Sequence, residues 1–254
     1  MGDIILPVLQ KGMTVCPSNL YRVIISHHQS EYLKNFDVSI PSVVVFDDLT
    51  PADISAVGNI PYIQRKPMGN RGANRNAGLN YWLSKNPSEN AVFEFLDGDR
   101  FPVMYNDPIK EMSELDADIL LYPCNADTRY TRHKFKEVLY MKGPGNPFFS
   151  CGFAITKKAL DAITAFNNGV FFREEFDGWG GEDQYTGTVA GHLGLRCFLS
   201  ETIELNGTVG GDSQDHNDYL GSMNIYLKLV LQNGLKETFL DNVGRLPTGI
   251  VNKI

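Results

Sequence analysis

The stretch Ala-Val-Phe-Glu-Phe-Leu-Asp-Gly-Asp, residues 91–99, decides how the rest of the chain is read. Residues 91–96 form a strand-like run of the kind that a parallel sheet buries on both faces. The run stops at two carboxylates one residue apart, Asp97 and Asp99, with Gly98 between them. In an open α/β sheet, ligands bind in the crevice beyond the carboxyl ends of the strands. Two carboxylates this close repel unless a divalent cation lies against them. Hard oxygen ligands at this density suit Mg2+ or Mn2+, with phosphate oxygens completing the shell. Taken alone, Asp-Gly-Asp is also the chemistry of a solvated tight turn, and both readings stand at this point.

On either side of this segment, short β-rich runs alternate with helical patterns, which predicts an α/β domain with a mostly parallel sheet. Upstream, residues 22–26 (RVIIS), 42–47 (SVVVFD) and, more weakly, 60–64 (IPYIQ) read as strands. A helical SEYLKNF follows the first of them, and the second ends in Asp47-Asp48. Residues 71–84 read as a helix with a glycine-rich start. Downstream, 117–123 (ADILLYP) and 148–155 (FFSCGFAI) read as strands, and a helix through KKALDAITAF follows the second. A helix from about Glu182 to Leu193 stops at Gly194, with RCFLS as a short strand after it. Apolar residues at 220, 223, 227, 230 and 231 have helical spacing, with Gly234 as the C-cap. There is no internal repeat, low-complexity segment or Pro/Ser-rich linker, so one domain over residues 1–254 is expected.

The chain is long enough to bury a full core, and its 21% charged residues are ordinary for a soluble protein. A net charge of −7 argues against non-specific binding of polyanions. Cys16, Cys124, Cys151 and Cys197 have neither metal-knuckle nor redox-pair spacing, so free thiols are expected. No apolar run approaches the length of a membrane span. The start of the sequence lacks a basic region followed by an apolar one, and Leu6 breaks the myristoylation pattern. A cytoplasmic location is the resulting expectation.

A second constellation lies in FDGWGGEDQYTGTVAGHLGLRC, residues 176–197. Trp179 and two glycines precede Glu182-Asp183 at the start of a helix. The glycines let the backbone turn tightly and approach a ligand. The carboxylates stand in the first helical turn, where the macrodipole favours their ionised form. That is the form a general base must have before it accepts a proton. The bland alternative makes Glu182 and Asp183 ordinary N-terminal charges and Trp179 a core residue.

Taken together, FLDGD and the later GWGGED resemble the nucleotide-sugar-dependent glycosyltransferases of the GT-A fold. The likeness is to the inverting family 2 enzymes and to the β-1,4-galactosyltransferase-like C-terminal region. Four further segments fall in the matching order: VIISHHQSEYL, VVVFDDLT, GANRNAGLN and FFSCGFAITKKALDAITAF. The resemblance implies a Rossmann-like, mostly parallel sheet flanked by helices. It also implies a nucleotide-sugar half over about 20–100 and an acceptor-binding and catalytic half over about 101–254.

Carried over by position, Asp99 would bind the metal, Mn2+ or Mg2+, and Asp97 would contact the donor ribose or share that metal. Asp47 or Asp48 would accept from the nucleotide base. Arg75 would lie near the diphosphate or donor sugar, assisted by Arg71 one helical turn earlier. Glu182 would hold acceptor hydroxyls, Asp183 would be the catalytic base, and Trp179 a platform for a sugar or base. A third metal ligand is implied downstream: His216, with Asp212 and Asp215 as rivals. His27 and His28 would line the nucleotide pocket, whereas His192 reads as structural.

The chain departs from the pattern at His27-His28-Gln29 after the first strand, and in DDLT, which lacks the usual Gly-Ser. Both leave the donor base and sugar open. The Q-x-x-R-W motif of processive synthases is absent, which favours transfer of one sugar. The implied activity is metal-dependent inverting transfer from a nucleoside-diphosphate sugar, UDP-linked in the first expectation, to an acceptor hydroxyl. The rivals are a retaining glycosyltransferase, a nucleotidyltransferase and a non-catalytic sugar-nucleotide-binding module. A glycan is the foremost acceptor, with a modified nucleobase in DNA as the alternative. The basic and aromatic run at 128–143 is either an acceptor or nucleic-acid groove or a solvated face.

Overall fold

The computed structural model describes residues 19–26, 30–46, 51–65, 70–124, 152–176, 181–207 and 216–238, with backbone alone at 51, 207, 216–220 and 223. The strands are β1 (Leu20–Ser26), β2 (Ser42–Phe46), β3 (Tyr62–Gln64), β4 (Val92–Asp97), β5 (Arg100–Met104), β6 (Ile119–Leu121), β7 (Gly152–Thr156), β8 (Cys197–Leu199) and β9 (Glu204–Gly207). The α-helices are α1 (Pro51–Val57), α2 (Arg71–Leu83), α3 (Pro108–Leu115), α4 (Lys157–Phe166), α5 (Glu182–His192) and α6 (His216–Gln232). Ser30–Asn35, expected to be helical, forms a 3-10 helix.

Among the described residues, seven strands make one sheet in the order β3-β2-β1-β4-β7-β6-β8, and β5 pairs with β9 in a small second sheet. The pairs β1–β2, β2–β3, β1–β4 and β6–β8 are parallel, while β7 runs antiparallel to both neighbours. The sequence-based expectation of a mostly parallel α/β sheet is met. The chain leaves β1 towards β2 and β3, then returns to place β4 on the other side of β1. Such a reversal opens a crevice at the carboxyl ends of the two diverging strands. Here those ends are Ser26 and Asp97, and Ile25 is the register partner of Asp97.

The apolar runs read as continuous because successive residues serve opposite, equally buried faces. Val23, Val43, Val45, Phe93, Phe95, Phe153 and Ile155 meet Leu79 and Trp82 of α2, Leu160 and Ile163 of α4, Val189 of α5 and Leu229 and Val230 of α6. Leu20, Ile24, Val44, Phe46, Val92, Leu96 and Leu120 meet Leu33 and Phe36 of the 3-10 helix, Val57 of α1 and Met112 of α3. Helix α2 lies close on the sheet at Gly78, where an added Cβ would stand 2.4 Å from Val23 Cγ1.

The second face also buries a charge pair. Arg22 and Glu94 are register partners on β1 and β4, and both are fully buried. The Arg22 Nε–H donates to Glu94 Oε2, and the Tyr105 and Tyr122 hydroxyls each donate to Glu94 Oε1 at 2.9 Å. Burial opposes the Arg22 charge, but Glu94 beside it outweighs that, so the guanidinium is held above its ordinary pKa. Desolvation, then the Glu94 carboxylate, push both tyrosines well above theirs.

Several elements escape the sequence pattern: β5, β9, α1 and α3. In the last helix Val230 of the predicted stripe is buried and Leu227 packs on the core, joined there by Tyr226 and Leu229, while Leu231 is 64% exposed. Gly234 does end this helix, with φ +69 and the Leu235 N–H donating to Val230 O at 2.9 Å. Cys124 and Cys197 are free thiols, while Cys16 and Cys151 lie outside the described residues. Among the described residues no helix is long and apolar enough to cross a membrane.

Candidate active site

The Asp97-Gly98-Asp99 turn sits directly on the end of β1. The Gly98 N–H donates to Ile25 O at 2.6 Å, and a Cβ at Gly98 would lie 2.8 Å from that same oxygen. Only glycine allows this approach, which carries both carboxylates to the switch point of the sheet. Asp99 is 7% exposed. Burial first, and the neighbouring Asp97 charge second, raise its pKa above the usual carboxylate value, with Arg100 and Arg71 pulling the other way. The repulsion expected from the sequence is therefore present. Among the described residues no group of three or more His, Cys, Asp or Glu gathers in a metal-holding arrangement. The hard oxygen donors of Asp97 and Asp99 nonetheless fit Mg2+ or Mn2+ whose shell is completed by phosphate and water.

Helix α2 brings the cations. Asn70 caps its N-terminus, accepting from the Ala73 N–H at 2.8 Å. One turn in, the buried Arg75 guanidinium makes two ion pairs: Nη1 donates to Glu182 Oε1 at 2.8 Å and Nη2 to Asp97 Oδ1 at 3.0 Å. Its carbon also lies 5.3 Å from the centre of the Phe172 ring. Desolvation opposes the Arg75 charge, but Asp97, Glu182 and Asp183 together hold the group firmly protonated. Arg71 Nη1 lies 3.9 Å from Asp97 Oδ2, with its side chain 34% exposed.

Helix α5 supplies the second acidic pair. It starts at Gly181, whose φ of +96 suits glycine, and a Cβ there would be 2.6 Å from the Phe176 ring. Glu182 is buried against Arg75, while Asp183 is partly buried and accepts from the Gln184 N–H at 2.8 Å. The first-turn position predicted an ionised Asp183 stabilised by the helix dipole. The structure adds a stronger opposing effect. Burial, then the Glu182 charge, push the Asp183 carboxyl up to about 7, against Arg75, the Gln184 N–H and Arg71. A carboxyl so placed exchanges its proton near neutrality, which suits a general base.

The structure thus brings together Asp97, Asp99, Arg71, Arg75, Glu182 and Asp183. Arg75 is engaged by two carboxylates, one of them Asp97 of the turn. Asp47, Asp48, His27, His28, Trp179, Asp212 and Asp215 lie outside the described residues. His216 begins α6, and of it only the backbone is described. His192 stands exposed in the last turn of α5, its ring 5.4 Å from that of Phe166.

Sequence reasoning passed over Gly72 and Asn76. A Cβ at Gly72 would lie 3.1 Å from Arg173 O and 3.5 Å from the Glu182 Cβ. Asn76 hydrogen-bonds both backbone groups of Phe172. The available signal was the spacing of Gly72, Arg75 and Asn76 at i, i+3 and i+4, which puts them on one helix face.

No protein-family model and no curated protein matches the chain. Solved structures do. The chain superposes on TarS from S. aureus with a TM-score of 0.60 at 16% identity, covering 89% of this chain and 43% of that one. A shorter form, TarS 1-349, gives 0.57 at 14% identity, covering 89% and 71%. The mannosyltransferase PcManGT from Pyrobaculum calidifontis, solved in complex with GDP-Man and Mn2+, gives 0.55 at 15% identity, covering 86% and 66%. The chain therefore spans less than half of full TarS. At these identities the likeness is one of architecture, and it shows that this chain carries the mixed α/β fold of these proteins, a GT-A-like glycosyltransferase fold.

Proposed function

We propose that this chain is a glycosyltransferase that moves one sugar from a nucleoside-diphosphate sugar to an acceptor hydroxyl, with inversion at the anomeric carbon. The observation that carries the reading is Arg75. One buried guanidinium joins Asp97, at the donor end of the sheet, to Glu182, beside the candidate base Asp183. The fold shared with a mannosyltransferase that binds GDP-Man and Mn2+ supports it.

Asp99, with Asp97, would hold a divalent cation, and His216 is the proposed third ligand. When bound, such a cation supplies charge neutralisation for the departing diphosphate. Asp183 accepts the proton of the acceptor hydroxyl. The freed oxygen electron pair then attacks the anomeric carbon from the face opposite the nucleotide. As that bond forms, the bond from the anomeric carbon to the diphosphate oxygen breaks, and the nucleoside diphosphate leaves with the electron pair. No covalent sugar–enzyme intermediate is involved. Arg75 keeps Glu182 in place, and Glu182 orients the acceptor. Arg71, with its part-exposed guanidinium, assists at the diphosphate. Asp47 or Asp48 and His27 are assigned to the nucleotide, and Trp179 to the acceptor sugar. A UDP-sugar donor, a glycan acceptor and a cytoplasmic setting complete the proposal.

The test is release of free nucleoside diphosphate from a panel of nucleotide sugars with Mn2+. Release from one donor, abolished by EDTA and in Asp99→Ala, is the expected result. A β-product from an α-linked donor, read by NMR, supports inversion; retained configuration assigns the chain to the retaining class instead.

A further inference from the structure

The carboxylates of α5 are held by more than Arg75. Asn76, the next residue of α2, uses its side chain as a backbone mimic. Its Oδ1 accepts from the Phe172 N–H at 3.0 Å, and its Nδ2 donates to Phe172 O at 2.8 Å. The same Nδ2 donates to Glu174 Oε1 at 2.8 Å. Asn70, at the start of the helix, donates to Glu174 O at 2.8 Å. Between the two asparagines, Gly72 lets the segment come within van der Waals distance of the helix backbone. Residues 172–174 are thus fixed to α2 at both ends, eight positions before α5 begins at Glu182. The two bonds to the Phe172 backbone are buried, those to Glu174 are partly so, and Asn76 itself is 4% exposed. A buried backbone pair that loses its only side-chain partner must find another position or stay unsatisfied.

We infer that Asn76 is a positioning residue. It sets where Glu182 and Asp183 stand relative to the Asp97-Gly98-Asp99 turn, so it governs the transfer step rather than donor binding. The inference rests on the glycosyltransferase reading and deepens it. The two adjacent residues divide the labour: Arg75 links the acidic groups by charge, while Asn76 fixes Phe172 against α2 beside Gly72, the point where Arg173 and Glu182 both approach that helix. Asn76 lies on the helix face turned to the 172–174 segment, and Asp97 and Asp99 are held through Gly98 and β1. Loss of Asn76 should therefore leave the donor end intact. A shift of the base by about 1 Å can slow proton transfer and attack about 10^2-fold.

The experiment needs no identified acceptor, because water serves. Wild-type protein with Mn2+ and UDP-glucose, UDP-N-acetylglucosamine or GDP-mannose identifies the fastest donor by nucleoside diphosphate release. With that donor, Asn76→Ala should lower kcat at least ten-fold while the donor Kd, by calorimetry, stays within two-fold. In Asn76→Asp the new carboxylate faces two acceptors, the Phe172 carbonyl and Glu174, and the rate should stay low. Adding Glu174→Gln restores a donor against that carboxylate and should recover a several-fold higher kcat. A folded Asn76→Ala variant with kcat within two-fold of wild type overturns the inference, as does a loss of donor affinity equal to the loss of rate. If Asn76→Ala does not fold, the pair of variants at 76 and 174 decides, and equal rates in the single and the double overturn it. Wild-type protein that neither binds nor hydrolyses any of these donors instead removes the glycosyltransferase reading, and this inference with it.

Discussion

In the proposed reaction Asp183 is the base, and the burial that tunes it also costs stability. Burial and Glu182 raise its carboxyl to about 7, so below that pH the side chain is protonated and cannot accept a proton. The transfer rate should therefore rise with pH through about 7 and level off above it, a profile measurable with any working donor. Asp183→Asn should lower kcat by about 10^2–10^4-fold, the usual worth of a positioned base, with donor affinity unchanged. The same raised pKa has a thermodynamic consequence. Between the ordinary carboxylate range and about 7 the folded protein holds a proton that the unfolded chain has released. Stability contributed by this group is thus lost as pH rises through that window. Asp183→Asn should raise the thermal midpoint at neutral pH while abolishing activity, and a lowered midpoint would contradict this account of the site. That Glu182 and Asp183 open a helix was legible from GWGGED. The raised Asp183 pKa was not, because its largest cause is burial by parts of the chain that the neighbouring residues do not reveal.

Elements carry two further predictions. At the β4–β5 turn, Gly98→Ala puts a methyl group 2.8 Å from a backbone oxygen of β1 that has no freedom to yield. The turn must lift, at about 1–3 kcal/mol, taking Asp97 and Asp99 with it. Calorimetry should show weakened Mn2+-dependent donor binding alongside the lower midpoint. Between β1 and β4, Glu94→Gln leaves the fully buried Arg22 charge without its counter-charge, and losses of about 3–5 kcal/mol are usual for such a change. Chemical denaturation should register that loss with no direct effect on the site, which lies at the strand ends. The strands β1, β2 and β4 were legible because both faces are buried, leaving unbroken apolar runs. β5 was not, since it contains Pro102 and its middle is only half-buried against β9. Nor was α3, although Asp107 and Pro108 at its start are ordinary helix-initiating residues. Glu94 stood in plain view inside FEFLD, but its partner Arg22 belongs to a strand 72 residues earlier, and only the sheet register puts the two side by side.

At the scale of the whole molecule, the order of the strands does the work. Returning the chain to β4 after β3 makes a crevice beside β1, and the Asp-Gly-Asp turn is the segment that lines it. Arg75 of α2 then ties the turn to Glu182 of α5, and Asn76 ties the same helix to Phe172 and Glu174. The alternation of strands and helices in the sequence disclosed the architecture, and motif order disclosed the acidic pairs. The ties between them were hidden, since they join side chains to partners about a hundred residues away. The central claim is that this joined site exists to receive a nucleotide sugar. Titration calorimetry of UDP-glucose, UDP-N-acetylglucosamine and GDP-mannose into the wild-type chain, with Mn2+ and then with EDTA, tests it most directly. The account predicts binding of at least one donor with Mn2+, sharply weakened by EDTA and by Asp99→Ala. Absence of binding by every donor in the presence of Mn2+ would contradict it.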